Sequence, residues 1–122
     1  MARHNETGKN GEQRAAEYLI AQGYVVRDVN WRNGKYELDI VAYKDNMLVV
    51  VEVKTRTTDE YMRPEEAVTK AKARRIVDAA AAYVFQYDLP FEVRFDVISL
   101  LGDGAGGYTV EHIPEAFFPT LR

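Results

Sequence analysis

Two β-type runs around a tight turn signal constrain this chain more than any other feature. Tyr36 to Tyr43 and Met47 to Thr55 flank Lys44-Asp45-Asn46. The period of two puts Val41, Tyr43, Leu48 and Val50 on one face of the pair. Leu38, Ile40, Ala42, Val49, Val51 and Val53 fall on the other. A hairpin apolar on both sides belongs in the middle of a sheet covered on both faces. Yet Glu37, Asp39, Glu52 and Lys54 are set into it. Charge buried there is costly unless it is paired or metal-bound.

If Asp45-Asn46 is a two-residue loop, Lys44 pairs with Met47; a four-residue loop gives the same register, and a three-residue loop shifts the pairs to diagonals. Asp39 then lies opposite Glu52, and Glu37 opposite Lys54, all on one face. Two carboxylates directly opposite each other destabilise a bare sheet. A divalent cation between them removes that repulsion, and hard oxygen ligands suit Mg²⁺ or Mn²⁺. The carbonyl of Val53 is a candidate for one more ligand. The competing reading is a Glu37–Lys54 ion pair, with Asp39 and Glu52 sharing a proton or facing water.

The remaining elements follow from period and punctuation. Residues 8–22 read as a helix with Ala15, Ala16, Leu19 and Ile20 as its apolar stripe and Gly23 as its stop. Tyr24 to Trp31 is β-rich, and Asn33-Gly34 marks a turn. Residues 56–63 read as a loop. Pro64-Glu65-Glu66 opens a helical stretch to about Gln86, with Thr69 a candidate N-cap at a break. Glu92 to Leu101 and Tyr108 to Ile113 read as strands joined by a glycine-rich loop. That loop lacks the lysine and spacing of a phosphate-binding loop. The order α-β-β-β-α-β-β predicts an α/β fold, a mixed central sheet flanked by helices.

The 122 residues suit one domain spanning 1–122. With no cysteine there is neither a disulfide framework nor a thiolate metal site. No apolar run approaches the roughly 18 residues of a membrane span, and the first residues are polar, so a cytoplasmic protein without a membrane partner is expected. His4 and His112, the two histidines, give no basis for a zinc site or a Ser/His/Asp triad. Arg94 and Asp96, two apart on a strand, read as a structural ion pair.

Net charge is −3, which excludes a globally basic nucleic-acid binder. Charge is nevertheless uneven. Lys54, Arg56, Arg63, Lys70, Lys72, Arg74 and Arg75 outnumber Asp59, Glu60, Glu65 and Glu66 between Lys54 and Arg75. Cations crowding the start of a helix oppose its dipole, a cost that a bound phosphate removes. Arg56, Lys70, Lys72, Arg74 and Arg75 are therefore candidate phosphate contacts; a solvated helix face is the alternative. Glu12 shares the stripe of Ala16 and Leu19 and is placed either to reach the carboxylates or to favour its helix N-terminus.

Asp39 followed by Glu52-Val53-Lys54 after a hairpin resembles the D…(D/E)-x-K signature of restriction-endonuclease-like nucleases. The wider pattern is narrower in meaning. It comprises Gly8-x-x-Gly11-Glu12, Ala16, Tyr18-Leu19, Gly23-Tyr24, Asn30, Glu37-Leu38-Asp39-Ile40, Val51-Glu52-Val53-Lys54-Thr55-Arg56, Pro64-Glu65-Glu66-Ala67-Val68-Thr69, Lys72, Arg94-Phe95-Asp96-Val97 and Ala116-Phe117. Together these resemble the YraN-like family of small bacterial proteins, across nearly the whole chain. One position departs: Tyr36 stands where the family motif usually has glycine.

The resemblance implies an endonuclease-like fold similar to archaeal Holliday junction resolvases. It implies Mg²⁺- or Mn²⁺-dependent cleavage of DNA, with Asp39 and Glu52 holding the metal and Lys54 orienting the attacking water. Glu12 and Glu37 would be auxiliary. Resolvases act as dimers, so a homodimer is an expectation. The rival expectations are a non-catalytic nucleic-acid-binding module and a protein-interaction adaptor, the latter using Ala116-Phe117-Phe118-Pro119 as an apolar tail.

Overall fold

A computed structural model describes residues 3–56, 68–102 and 104–119, and the backbone alone for residues 3–10. Its elements are α1 (Arg3–Ala21), β1 (Val25–Asn33), β2 (Tyr36–Lys44), β3 (Met47–Arg56), α2 (Lys70–Tyr87), β4 (Glu92–Gly102) and β5 (Tyr108–Phe117). The expected element order and α/β class hold. The loop after Arg56 and the Pro64–Glu66 helix start lie outside the described residues. No described helix is long and apolar enough to cross a membrane.

The five strands form one mixed sheet in the order β1-β2-β3-β4-β5. β3 and β4 are parallel and joined through α2; the other neighbours are antiparallel. Asp45 and Asn46 take φ of 54° and 63°, the left-handed pair that a tight two-residue hairpin loop requires. Lys44 accordingly faces Met47, and the expected register runs from there to Ile40 opposite Val51.

The helices cover opposite faces. Ala15, Ala16 and Leu19 of α1 pack on Ile40, Val49, Val51, Ile98 and Leu100. Ile76, Ala79, Ala80 and Tyr83 of α2 pack on Trp31, Leu38, Val41, Leu48, Val50 and Phe95. Both layers meet at β3, which is why it reads as a continuous apolar run. Ile20, expected in the α1 stripe, is instead 59% exposed, because the buried stripe stops at Leu19. Leu38 also departs from expectation: it packs on the α2 side while Ile40 packs on the α1 side. The two-residue alternation therefore fails across Asp39, beside Asn30 of β1 with its left-handed φ of 57°.

α2 begins after Thr69, whose hydroxyl accepts from the Lys72 N–H at 3.1 Å, and ends on the left-handed Asp88. β5 runs four residues beyond the expected Ile113. Pro114 reads as a strand end, but β5 is an edge strand and tolerates it at a bulge, where Glu115 has φ 50°. Pairing resumes at Phe95 opposite Phe117, whose rings stack at 5.2 Å.

Asp96 fills that bulge and is fully buried. Its carboxylate accepts from Arg94 Nε at 2.9 Å and Nη2 at 2.8 Å, and from the Glu115 N–H at 3.1 Å. His112 Nε2 lies 2.7 Å away, and Tyr18 Oη is 3.3 Å from His112 Nδ1, which ties α1 to β5. Burial alone would raise the Asp96 pKa; His112, Arg94 and the Glu115 N–H more than offset it and hold it below the usual carboxylate range. The Arg94–Asp96 pair is thus the core of a structural network, as read from the sequence.

Candidate functional site

Pairing between β2 and β3 stops at Ile40 opposite Val51, one step before Asp39 would meet Glu52. β3 continues instead with β4, through Glu52 opposite Val97 to Arg56 opposite Leu101. The two central strands thus part where the charges begin. In the fork, Asp39 Oδ2 accepts the Val53 N–H at 2.9 Å, so a side chain replaces the missing ladder partner.

Asp39 and Glu52 lie close enough to share a hydrogen bond. Burial, reinforced by Asp39, pushes the Glu52 carboxyl up to about 7. Burial likewise raises Asp39, against the Val53 N–H that favours its charged form. Lys72 Nζ reaches Glu52 Oε2 at 2.7 Å, and the Glu52 side chain is only 10% exposed. Lys72 is thereby part of the carboxylate site itself, not of a separate phosphate face.

A cavity of about 440 Å³ opens over the pair, lined by Lys35, Tyr36, Glu37, Asp39, Glu52, Lys72, Arg75, Ile76 and Asp78. Lys35 and Asp78 were not legible as site residues, and Tyr36 was legible only as the bulky departure beside Glu37. Lys35 and Tyr36 follow Gly34 (φ 60°) in the β1–β2 turn, and Asp78 lies three residues from Arg75 on α2, the spacing that gathers side chains on one helix face.

Glu12 enters from the other side of the sheet. Its pKa is raised by burial and by the Asp39 charge, so it senses the site although it does not line the cavity. Its placement depends on Gly11. A Cβ there would sit 2.8 Å from Thr55 Oγ1, so glycine sets the close approach of α1 to β3.

The expected Glu37–Lys54 pair does not form. With the strands parted, Glu37 keeps its β1 neighbour Arg32, at 3.5 Å and well exposed. Lys54 is half-buried on β3 and is not in the cavity wall. Arg56 is 8% exposed, which removes it from the accessible basic set. Lys70, Arg74 and Arg75 remain exposed on α2.

Among the described residues, no group of three or more His, Cys, Asp or Glu side chains forms a metal cage. The donor set nevertheless fits a cation that retains most of its waters, because Mg²⁺ needs only one or two protein carboxylates. Two adjacent carboxyls that resist joint ionisation are a site where a divalent cation relieves the electrostatic cost.

The family described as Uncharacterised protein family UPF0102 matches residues 11–100. The chain belongs to this family. The UPF0102 match runs from Gly11 to Leu100, enclosing Glu12, Asp39, Glu52, Val53, Lys54 and Lys72. A UPF0102 protein of Bacteroides thetaiotaomicron is 53% identical over 123 residues, covering 99% of each chain. One from Phocaeicola vulgatus is 50% identical over 121 residues, again covering 99% of each. A Porphyromonas gingivalis UPF0102 protein is 47% identical, covering 96% of this chain and 87% of its own.

Proposed function

We propose that this UPF0102 chain is a Mg²⁺- or Mn²⁺-dependent endonuclease acting on DNA. The observation that carries the reading is the Asp39–Glu52 pair, held in a strand fork at the floor of an open cavity with Lys72 and Arg75. Asp39 and Glu52 would hold the metal. A bound divalent ion supplies charge neutralisation at the scissile phosphate and a more acidic water.

The chain's own groups do the rest. The Val53 N–H fixes the Asp39 carboxylate, and Lys72 fixes Glu52. Arg75 at the cavity wall, with Lys70 and Arg74 on the same helix, holds backbone phosphates. Lys54 keeps the role the D…(D/E)-x-K resemblance implies, stabilising negative charge on the reacting phosphate. Glu12 adds negative potential from the α1 side.

The test is a cleavage screen over single-stranded, duplex, flap and four-way-junction DNA with Mg²⁺ or Mn²⁺. Metal-dependent cleavage abolished by Asp39→Ala and by Lys54→Ala supports the reading. Full activity in both variants sinks the mechanism.

The Lys72–Glu52 contact favours a second reading, because it neutralises one carboxylate without a metal. A non-catalytic DNA-binding module would show salt-sensitive binding and no cleavage. Neutralising Lys70, Arg74 and Arg75 together would weaken that binding.

A further inference from the structure

We infer that Tyr36 is a stacking platform for one unpaired base, so that the site takes single-stranded DNA in preference to duplex. This rests on the nucleic-acid reading above and adds a substrate class to it.

Among the described residues Tyr36 is the only aromatic side chain in the cavity wall, and it is half-buried, with its ring anchored against the α2-side core. An aromatic ring fixed on one edge and open on another is suited to stacking a base with little loss of side-chain freedom. The Lys35 ammonium lies over the ring, 5.5 Å from its centroid, and this flexible side chain swings aside when a base stacks on that face. A base on Tyr36 therefore has a cation at hand for its own phosphate, and Arg75 supplies another in the cavity wall. Aromatic platforms interleaved with cations are the means by which proteins hold single strands without reading sequence.

Shape points the same way. The cavity of about 440 Å³ falls in the range of small-ligand pockets and has room for one nucleotide. The carboxylates lie at its floor, with Glu52 only 8% exposed. A duplex keeps its base faces stacked on one another and offers none to Tyr36. A flexible single strand can lower one nucleotide into the cavity.

Charge adds a condition. Among the described residues the lining holds Lys35, Lys72 and Arg75 against Glu37, Asp39, Glu52 and Asp78, a balance that a divalent cation tips toward attracting a phosphate. Strand binding is therefore expected to require the cation, even one that supports no cleavage.

The experiment uses the full chain in Ca²⁺ buffer with a 2-aminopurine oligonucleotide, single-stranded or annealed. The expected result is quenched fluorescence and at least roughly tenfold tighter binding for the single strand, with Tyr36→Leu losing the quench and about tenfold in affinity. Tyr36→Trp should keep or deepen the quench, and it carries the test if the leucine variant does not fold. Equal binding of both DNA forms, or unchanged quenching in a folded Tyr36→Leu, overturns the inference. Cleavage by wild-type with Mn²⁺, tested against Asp39→Ala in parallel, tells the two readings apart. If cleavage depends on Asp39 while Tyr36→Leu changes nothing, the platform falls and the nuclease stands. If wild-type binds neither DNA form, both fall.

Discussion

Lys72 of α2 and Glu52 of β3 meet at 2.7 Å at the point where β2 and β3 separate. The contact ties the covering helix to the forked sheet and opposes the protonation that burial favours at Glu52. Lys72 draws the Glu52 pKa down against burial and the Asp39 charge, both of which raise it. Removing the ammonium should raise it further. Lys72→Met should therefore move the Glu52 titration, followed by carboxyl-carbon NMR, above its wild-type value of about 7. An unmoved titration would show that the contact does not persist in solution.

The same pair makes stability depend on pH. An acid whose folded pKa exceeds its unfolded value keeps its proton longer when folded, so the folded state is favoured below the unfolded pKa. That advantage is lost as pH rises from about 4.5 to about 7. Without divalent cations, urea unfolding should show stability falling over this window by up to about 3 kcal/mol. Glu52→Gln should flatten the slope.

Mg²⁺ or Mn²⁺ competes with those protons. Adding either should raise the melting temperature by several degrees at pH 8 and little at pH 5, where Glu52 holds its proton. Asp39→Ala should abolish the increment. An equal rise at both pH values would point to binding elsewhere.

Gly11 tests how α1 reaches the site. Gly11→Ala puts a methyl 2.8 Å from Thr55 Oγ1, a short β-branched side chain with few rotamers to escape into. A loss of about 1–3 kcal/mol is expected, with most of it recovered in the Gly11→Ala/Thr55→Ala double variant. Additive losses would show that the two residues do not touch.

Asp96 governs the bulge between β4 and β5. Asp96→Asn keeps the shape but leaves the Arg94 charge without its carboxylate partner, for an expected cost of about 3–5 kcal/mol by chemical denaturation. Because its folded pKa is lowered, the stability Asp96 contributes is present above its unfolded pKa near 3.8 and is lost as pH falls through the folded value. The variant should lack that acid-side loss.

Period and turn residues were enough to read the element order, the turn at Lys44-Asp45-Asn46 and, for an even-length loop there, the register from Lys44 to Ile40. These depend on contacts between near neighbours, where period and turn chemistry act directly. The sequence also singled out Asp39 and Glu52, because charge stands out in a strand apolar on both faces. Where that strand pairing ends depended on long-range packing. Continuing the register past Ile40 gave Glu37 to Lys54, whereas β3 follows β4 and leaves Glu37 with Arg32. The competition between two partner strands is long-range and leaves no local mark. The same holds for Lys72, brought to Glu52 by helix packing, and for Tyr36, whose share in the cavity wall follows from the turn at Gly34. β5 passes Pro114 because Asp96 supplies the acceptor that the Glu115 N–H needs at the bulge, a partner 19 residues away in the chain.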